Sequence, residues 1–235
     1  MLSNVFSKTR LLTVLLLALC VFTVQNNVAQ NSTTMVSLFE KELRLQDFAA
    51  RIPEFQQVYG KNKVIPFQLK DVVLTTLSFY PELANTHIIF EYKPINVTMN
   101  ARPCMDNILK TRQNRVYRVI LNNNQGEHKG LPIEKLSFNI MVGWIGHEFA
   151  HLVQYEKMSN LQIITFFFSY LLSDEYFRDT ERYTDYLAIK HGLAYPLYAG
   201  VEYLLNSSDV SEEYKKKIKD NYLSLAEIHY YWTQQ

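Results

Sequence analysis

The chain has little cysteine, almost no net charge and no apolar run long enough to cross a bilayer, and each shortage removes a class of protein. Cys20 and Cys104 are the 2 cysteines in 235 residues. Cys20 falls inside an apolar leader, so removal of that leader leaves Cys104 alone and no intrachain disulfide to form. No Cys or His lies at ligand spacing from Cys104, which therefore reads as a buried free thiol. With 24 Lys and Arg against 23 Asp and Glu, the net charge of +1 offers no footprint for nucleic acid. The run Lys215-Lys216-Lys217 reads as the solvated face of a surface helix. Internal repeats, low-complexity tracts and linkers are also missing, which excludes repeat architectures and gives no support for a second domain.

The apolar run from Leu11 to Val24 falls short of the roughly 20 residues that a membrane span needs. Lys8 and Arg10 precede it and Gln25-Asn26-Asn27 follow, which is the basic, apolar, polar layout of a secretory signal. Residues 1–29 are expected to be a leader cleaved after Ala29, and 30–235 a single exported domain, periplasmic or secreted. Retention of the leader as a short membrane anchor is the alternative, and the route to any membrane association. Asn31, Asn96 and Asn206 stand in glycosylation sequences that matter only in a eukaryotic secretory pathway.

What remains is apolar and aromatic. A hydrophobic content of 48%, with 16 Tyr and 14 Phe, is ample for one substantial core. Helical spacing runs from Val36 to Ala50, ending before Pro53, and again from Phe67 to Phe79, closed by Tyr80-Pro81. Strand signals occupy His87 to Tyr92 and Val97 to Asn100. The clearest strand is Arg115 to Leu121, which runs into the turn-forming Asn122-Asn123-Asn124-Gln125-Gly126. After Pro132 nearly everything reads as helix, so the class is α+β: a mixed helix and strand part followed by a mostly helical part. Leu161 to Leu172 is apolar, carries no basic face and reads as a core helix.

In the helical part stands His147-Glu148-Phe149-Ala150-His151. Positions i and i+4 of a helix share a face, so two imidazoles can grip one metal ion with Glu148 beside them. Downstream, Ser173 to Gly192 reads as a helix capped by Ser173 or Asp174 and closed by Gly192. Glu181 and Asp185, four apart, project from one face of it. A catalytic zinc takes three protein ligands, and His-His-Glu is a recognised set, so Glu181 is the candidate third ligand. Asp185 could accept the free N–H of a ligand imidazole and fix its tautomer. His191 lies off this face and reads as a partner of the helix C-terminus.

H-E-F-A-H followed by E-R-Y-T-D on a later helix resembles the gluzincin group of zinc metallopeptidases, over roughly Arg115 to Gly192. The resemblance implies a zincin-like fold, Zn2+ held by His147, His151 and Glu181, Glu148 as general base, and Asp185 behind a histidine. It also implies that Arg115 to Leu121 is the edge strand along which a peptide or protein substrate pairs. The expected reaction is hydrolysis of a peptide bond by an activated water. The oxyanion needs a further stabiliser, for which His229, with Glu227 nearby to orient it, is preferred over Tyr230 and Tyr231. The competing readings are a zinc-binding adaptor without catalysis and an exported helical binding protein.

Overall fold

The computed structural model describes residues 42–107, 110–123, 131, 133 and 136–234. The expected leader, and residues 36–41 of the helix expected over Val36 to Ala50, lie outside them. Leu43–Gln235 forms one compact unit, α+β in class.

Two short helices, α1 (Leu45–Phe48) and α2 (Ile52–Tyr59), are joined by a 3-10 turn. Pro53 lies in the first turn of α2, where its missing N–H costs nothing, so the expected break before it is where one helix hands over to the next. The helix expected over Phe67 to Phe79 is a 3-10 turn at Phe67–Leu69 followed by α3 (Lys70–Leu77), which buries Val73, Leu74 and Leu77 completely.

The sheet has four strands, β1 (Lys63–Val64), β2 (His87–Lys93), β3 (Met99–Pro103) and β4 (Val116–Asn122), in the order β1-β2-β4-β3. β1, β2 and β4 run parallel, and β3 is antiparallel to β4. This corrects one expectation. The strand read at Arg115 to Leu121 is not an edge but lies inside, with Tyr117 opposite Ile88 on one side and Val119 opposite Ala101 on the other. Its residues from Val119 to Asn122 are buried without alternation, as suits a strand covered on both faces. Among the described residues the sheet borders are β1 and β3.

The long helix α4 (Phe138–Lys157) begins where the Ser137 side chain accepts from Ile140 N and is buried on nearly every side. α3, β3 and α7 (Ala194–Asn206) all pack against it. Its closest neighbour is α7: a Cβ on Gly143 would stand 2.4 Å from backbone atoms of Pro196, so the two helices meet where α4 has no side chain. The buried Tyr80 donates to the Gly146 carbonyl at 2.6 Å. At the other end, buried Arg115 donates to the carbonyls of Tyr155 (3.1 Å) and Met158 (2.8 Å) and to Asn160 Oδ1 (2.6 Å). A cation there satisfies carbonyls the helix leaves open and opposes the negative end of its dipole.

α5 (Asn160–Leu172) departs from the core helix expected of so apolar a segment. It buries only Ile163 and Phe166, and Leu161, Phe168, Leu171 and Leu172 are exposed. α6 (Asp174–Ala188) starts at a Ser173 cap. Gly192, at φ 84°, takes the left-handed conformation that ends a helix and turns the chain through Ile189–Leu193 into α7. α8 (Glu212–Asn221) and α9 (Leu225–Thr233) complete the chain. Among the described residues no helix is long and apolar enough to cross a membrane.

Candidate metal centre

α4 and α6 pack face to face, and their contact brings together the side chains singled out by spacing. His147, His151 and Glu181 are buried and offer ligand atoms within 4.8 Å of one another. His147 Nε2 lies 3.1 Å from one Glu181 oxygen, and His151 Nε2 lies 3.6 Å from the other. Bonds of about 2.0–2.1 Å to a tetrahedral zinc put ligand atoms roughly 3.3 Å apart, so these separations bracket what such an ion requires. Two imidazole nitrogens and a carboxylate also suit its borderline chemistry.

Each histidine is held from behind. His147 Nδ1 is 2.8 Å from Asp185 Oδ1, while Asp185 Oδ2 accepts from Leu223 N at 2.9 Å. His151 Nδ1 is 3.3 Å from the hydroxyl of Thr184. That hydroxyl donates to the Thr180 carbonyl at 2.8 Å and receives Gln154 Nε2 at 2.7 Å. With its proton so placed, Thr184 accepts from His151 Nδ1–H and turns Nε2 towards Glu181. Tyr170 on α5 donates its phenolic proton to Glu181 Oε1.

The charges follow from this packing. Burial works against a protonated His147, but hydrogen bonds to Asp185 and Glu181 outweigh it and hold the imidazole protonated well above the usual histidine range. Burial likewise pushes Glu181 up, but the two histidines overcome it and keep the carboxyl ionised well below the usual carboxylate range. Glu148 goes the other way: burial raises it, and the nearby imidazoles offset only part of the rise. A backbone hydrogen bond from Ala101 ties it to β3, yet its Oε2 is buried with no partner. An unpaired buried carboxylate oxygen beside three converging donors is costly unless something is meant to bind there.

Comparison with family models, with curated proteins and with solved structures finds no match. The chemistry of this centre therefore rests on its own atoms.

The donors open into a cleft that is continuous with solvent. Val97 to Asn100, at the start of β3, form one border of it, and Trp144, Leu197, Val201 and Leu204 give it an apolar wall. Tyr170, Tyr214 and Tyr222 also line it, their phenols pushed up by burial and so kept protonated.

His229 is not among the lining residues. It rides half-buried on α9, and Glu227, expected to orient it, is engaged by Arg182 and by Ser224 N (2.9 Å). Tyr230 points outward, 58% exposed. His191, expected at a helix end, takes that place: its Nδ1 lies 2.8 Å from the Leu187 carbonyl and its Nε2 2.8 Å from Glu82. Cys104 is a buried free thiol. Lys217, read as part of a solvated face, is exposed and also lines the cleft.

Sequence reasoning missed Thr184 and the three tyrosines. Thr184 had a usable signal, since it stands three residues after Glu181 and shares its helix face. The tyrosines had none, being scattered over α5, α8 and the turn before α9 in a chain with 16 of them.

Proposed function

We propose that the protein is a zinc-dependent peptidase with a zincin-like arrangement of sheet and metal helices. The observation that carries this reading is the buried set His147, His151 and Glu181 with the unpartnered Oε2 of Glu148 beside it in an open cleft. The three donors would hold the ion. When bound, zinc supplies Lewis acidity, polarising a carbonyl and lowering the pKa of water to about 7.

The remaining roles belong to the chain. Glu148 is not among the converging donors and burial raises its pKa towards that of a group that can both take and return a proton, so it takes the proton of the attacking water and passes it to the leaving amine. Asp185 and Thr184 fix the two imidazoles with Nδ1–H turned away from the ion. Tyr170 orients Glu181. Tyr214 and Tyr222, protonated in the cleft wall, are the phenols available to a developing oxyanion in place of His229. β3, paired on one side only among the described residues, offers the other to an extended peptide.

Glu148→Gln separates this reading from its rivals. The variant should bind zinc as the wild type does and lose at least about a hundredfold in peptide hydrolysis, the usual contribution of a general base. Metal analysis and a proteolysis assay together decide: a zinc-loaded wild type that cleaves nothing indicates an adaptor, and a wild type that takes up no zinc indicates a binding protein.

A further inference from the structure

Three consecutive lysines on α8 look alike in the sequence but have different surroundings. Lys215 pairs with Glu212 at 2.9 Å and Lys216 with Asp220. For Lys217 no carboxylate stands within ion-pair distance among the described residues; its ammonium lies 5.5 Å from the centre of the Phe177 ring. Tyr214, Lys217 and Ile218 occur at helical spacing, and all three line the cleft. Lys217 is the one Lys or Arg among the described residues that do so, and its exposure puts it on the cleft's open side.

The fixed charges deeper in the cleft are predominantly acidic, namely Glu148, Glu181 and Asp185. An anionic group entering the cleft from its open side meets Lys217 before it reaches these carboxylates. The wall of Trp144, Leu197, Val201 and Leu204 shares the same space and fits a large apolar side chain. Resting on the hydrolase reading above, we infer that Lys217 receives a substrate carboxylate, so that the site selects peptides in which a large apolar residue accompanies a free C-terminal carboxylate or an acidic side chain.

The test uses four leucine-containing peptides of one parent sequence: free C-terminal acid, C-terminal amide, and amidated forms with an internal Glu or Gln. Binding is measured on the zinc-loaded full chain carrying Glu148→Gln, and hydrolysis on the zinc-loaded wild type, each with and without Lys217→Glu. At an exposed site a charge contributes modestly, so an acid should be preferred over its uncharged counterpart by about fivefold or more, with the preference lost in Lys217→Glu and kept in Lys217→Arg. The acid and amide pair tests the terminus, and the Glu and Gln pair tests the side chain. Preference in binding without hydrolysis upholds the inference and removes the peptidase reading. Hydrolysis that ignores the charge, or a preference that survives Lys217→Glu because the carboxylate sits on the metal, overturns the inference and leaves the peptidase standing. So does a Lys217→Glu loss equal for charged and uncharged peptides. Failure of all four peptides to bind overturns it as well.

Discussion

The Thr184 hydroxyl stands 3.3 Å from His151 Nδ1 with its own proton committed to the Thr180 carbonyl, so it receives the imidazole N–H. His151 thereby gains what Asp185 gives His147, an acceptor on α6 that selects the tautomer.

Removing that acceptor should weaken metal binding without abolishing it. Thr184→Val leaves His151 Nδ1–H buried and unpaired, and loss of such a partner typically costs about 10- to 100-fold in metal affinity. Thr184→Ser keeps the hydroxyl and should bind nearly as the wild type. Competition with a chelator of known affinity measures both. An unchanged affinity in Thr184→Val would show that packing alone orients the ring.

The two acidic residues of α6 should behave differently. Glu181→Ala removes one of three donors and should leave the protein metal-free at ordinary zinc concentrations. Asp185→Asn retains an oxygen for His147 but sets an amide against Leu223 N, so metal should be held with affinity reduced by roughly 10- to 100-fold. The reverse order in a zinc titration would show that the donor set is misassigned.

Metal uptake should release a proton. Both ring nitrogens of His147 face carboxylate oxygens, which requires both to donate and makes the metal-free ring an imidazolium. Its pKa is raised, so the metal must displace a proton that an ordinary histidine has already shed. Titration calorimetry at pH 7 in buffers of different ionisation enthalpy should show about one proton released, where a histidine of pKa near 6.5 would give roughly a quarter. Affinity should rise about tenfold per pH unit until the pH passes the raised value. A pH-independent affinity between 6 and 7 would count against the imidazolium.

A separate pH effect lies in the contact between α6 and α9. Partial burial pushes the Glu227 carboxyl up, but hydrogen bonds from Arg182 and Ser224 outweigh it and bring it down to about 2. A carboxylate whose pKa is lower folded than unfolded adds stability above its unfolded value, here 4.5, and loses that share as the pH falls towards 2. The side chain is 40% exposed, so solvent screening keeps the share below about 1 kcal/mol. Melting of metal-free Glu227→Gln should differ from metal-free wild type at pH 6 and converge with it near pH 2. A difference that persists at pH 2 would mean that the mutation acts through packing.

The donor set could be read in the sequence because it is local twice over: a turn and a bit of helix fixes His147 against His151, and one turn of another fixes Glu181 against Asp185. That the two faces meet was carried by chemistry, since buried imidazoles and carboxylates need one another. Strand order has no such local signature. Arg115 to Leu121 was legible as a strand, but its place between β2 and β3 depends on pairing between segments far apart in sequence. Periodicity also cannot say which apolar helix finds a partner, and so α5 read as core although Phe168 and Leu172 face outward. His229 is not among the residues that line the cleft, and Glu227, read as its partner from nearness in sequence, pairs with Arg182, 45 positions away.

The absent side chain at Gly143 sets a condition on descent. One turn before His147, it lies against the Pro196 backbone, where even a methyl group would part α4 from α7. A lineage can exchange the apolar wall of the cleft one residue at a time, but it cannot enlarge this position without moving the helix that carries both histidines. Distant kin of this chain should thus be traceable by a glycine four positions ahead of the first histidine, followed on a later helix by glutamate and, three and four places on, a hydroxyl residue and aspartate. That pattern spans Gly143 to Asp185 and reaches beyond the pentapeptide alone.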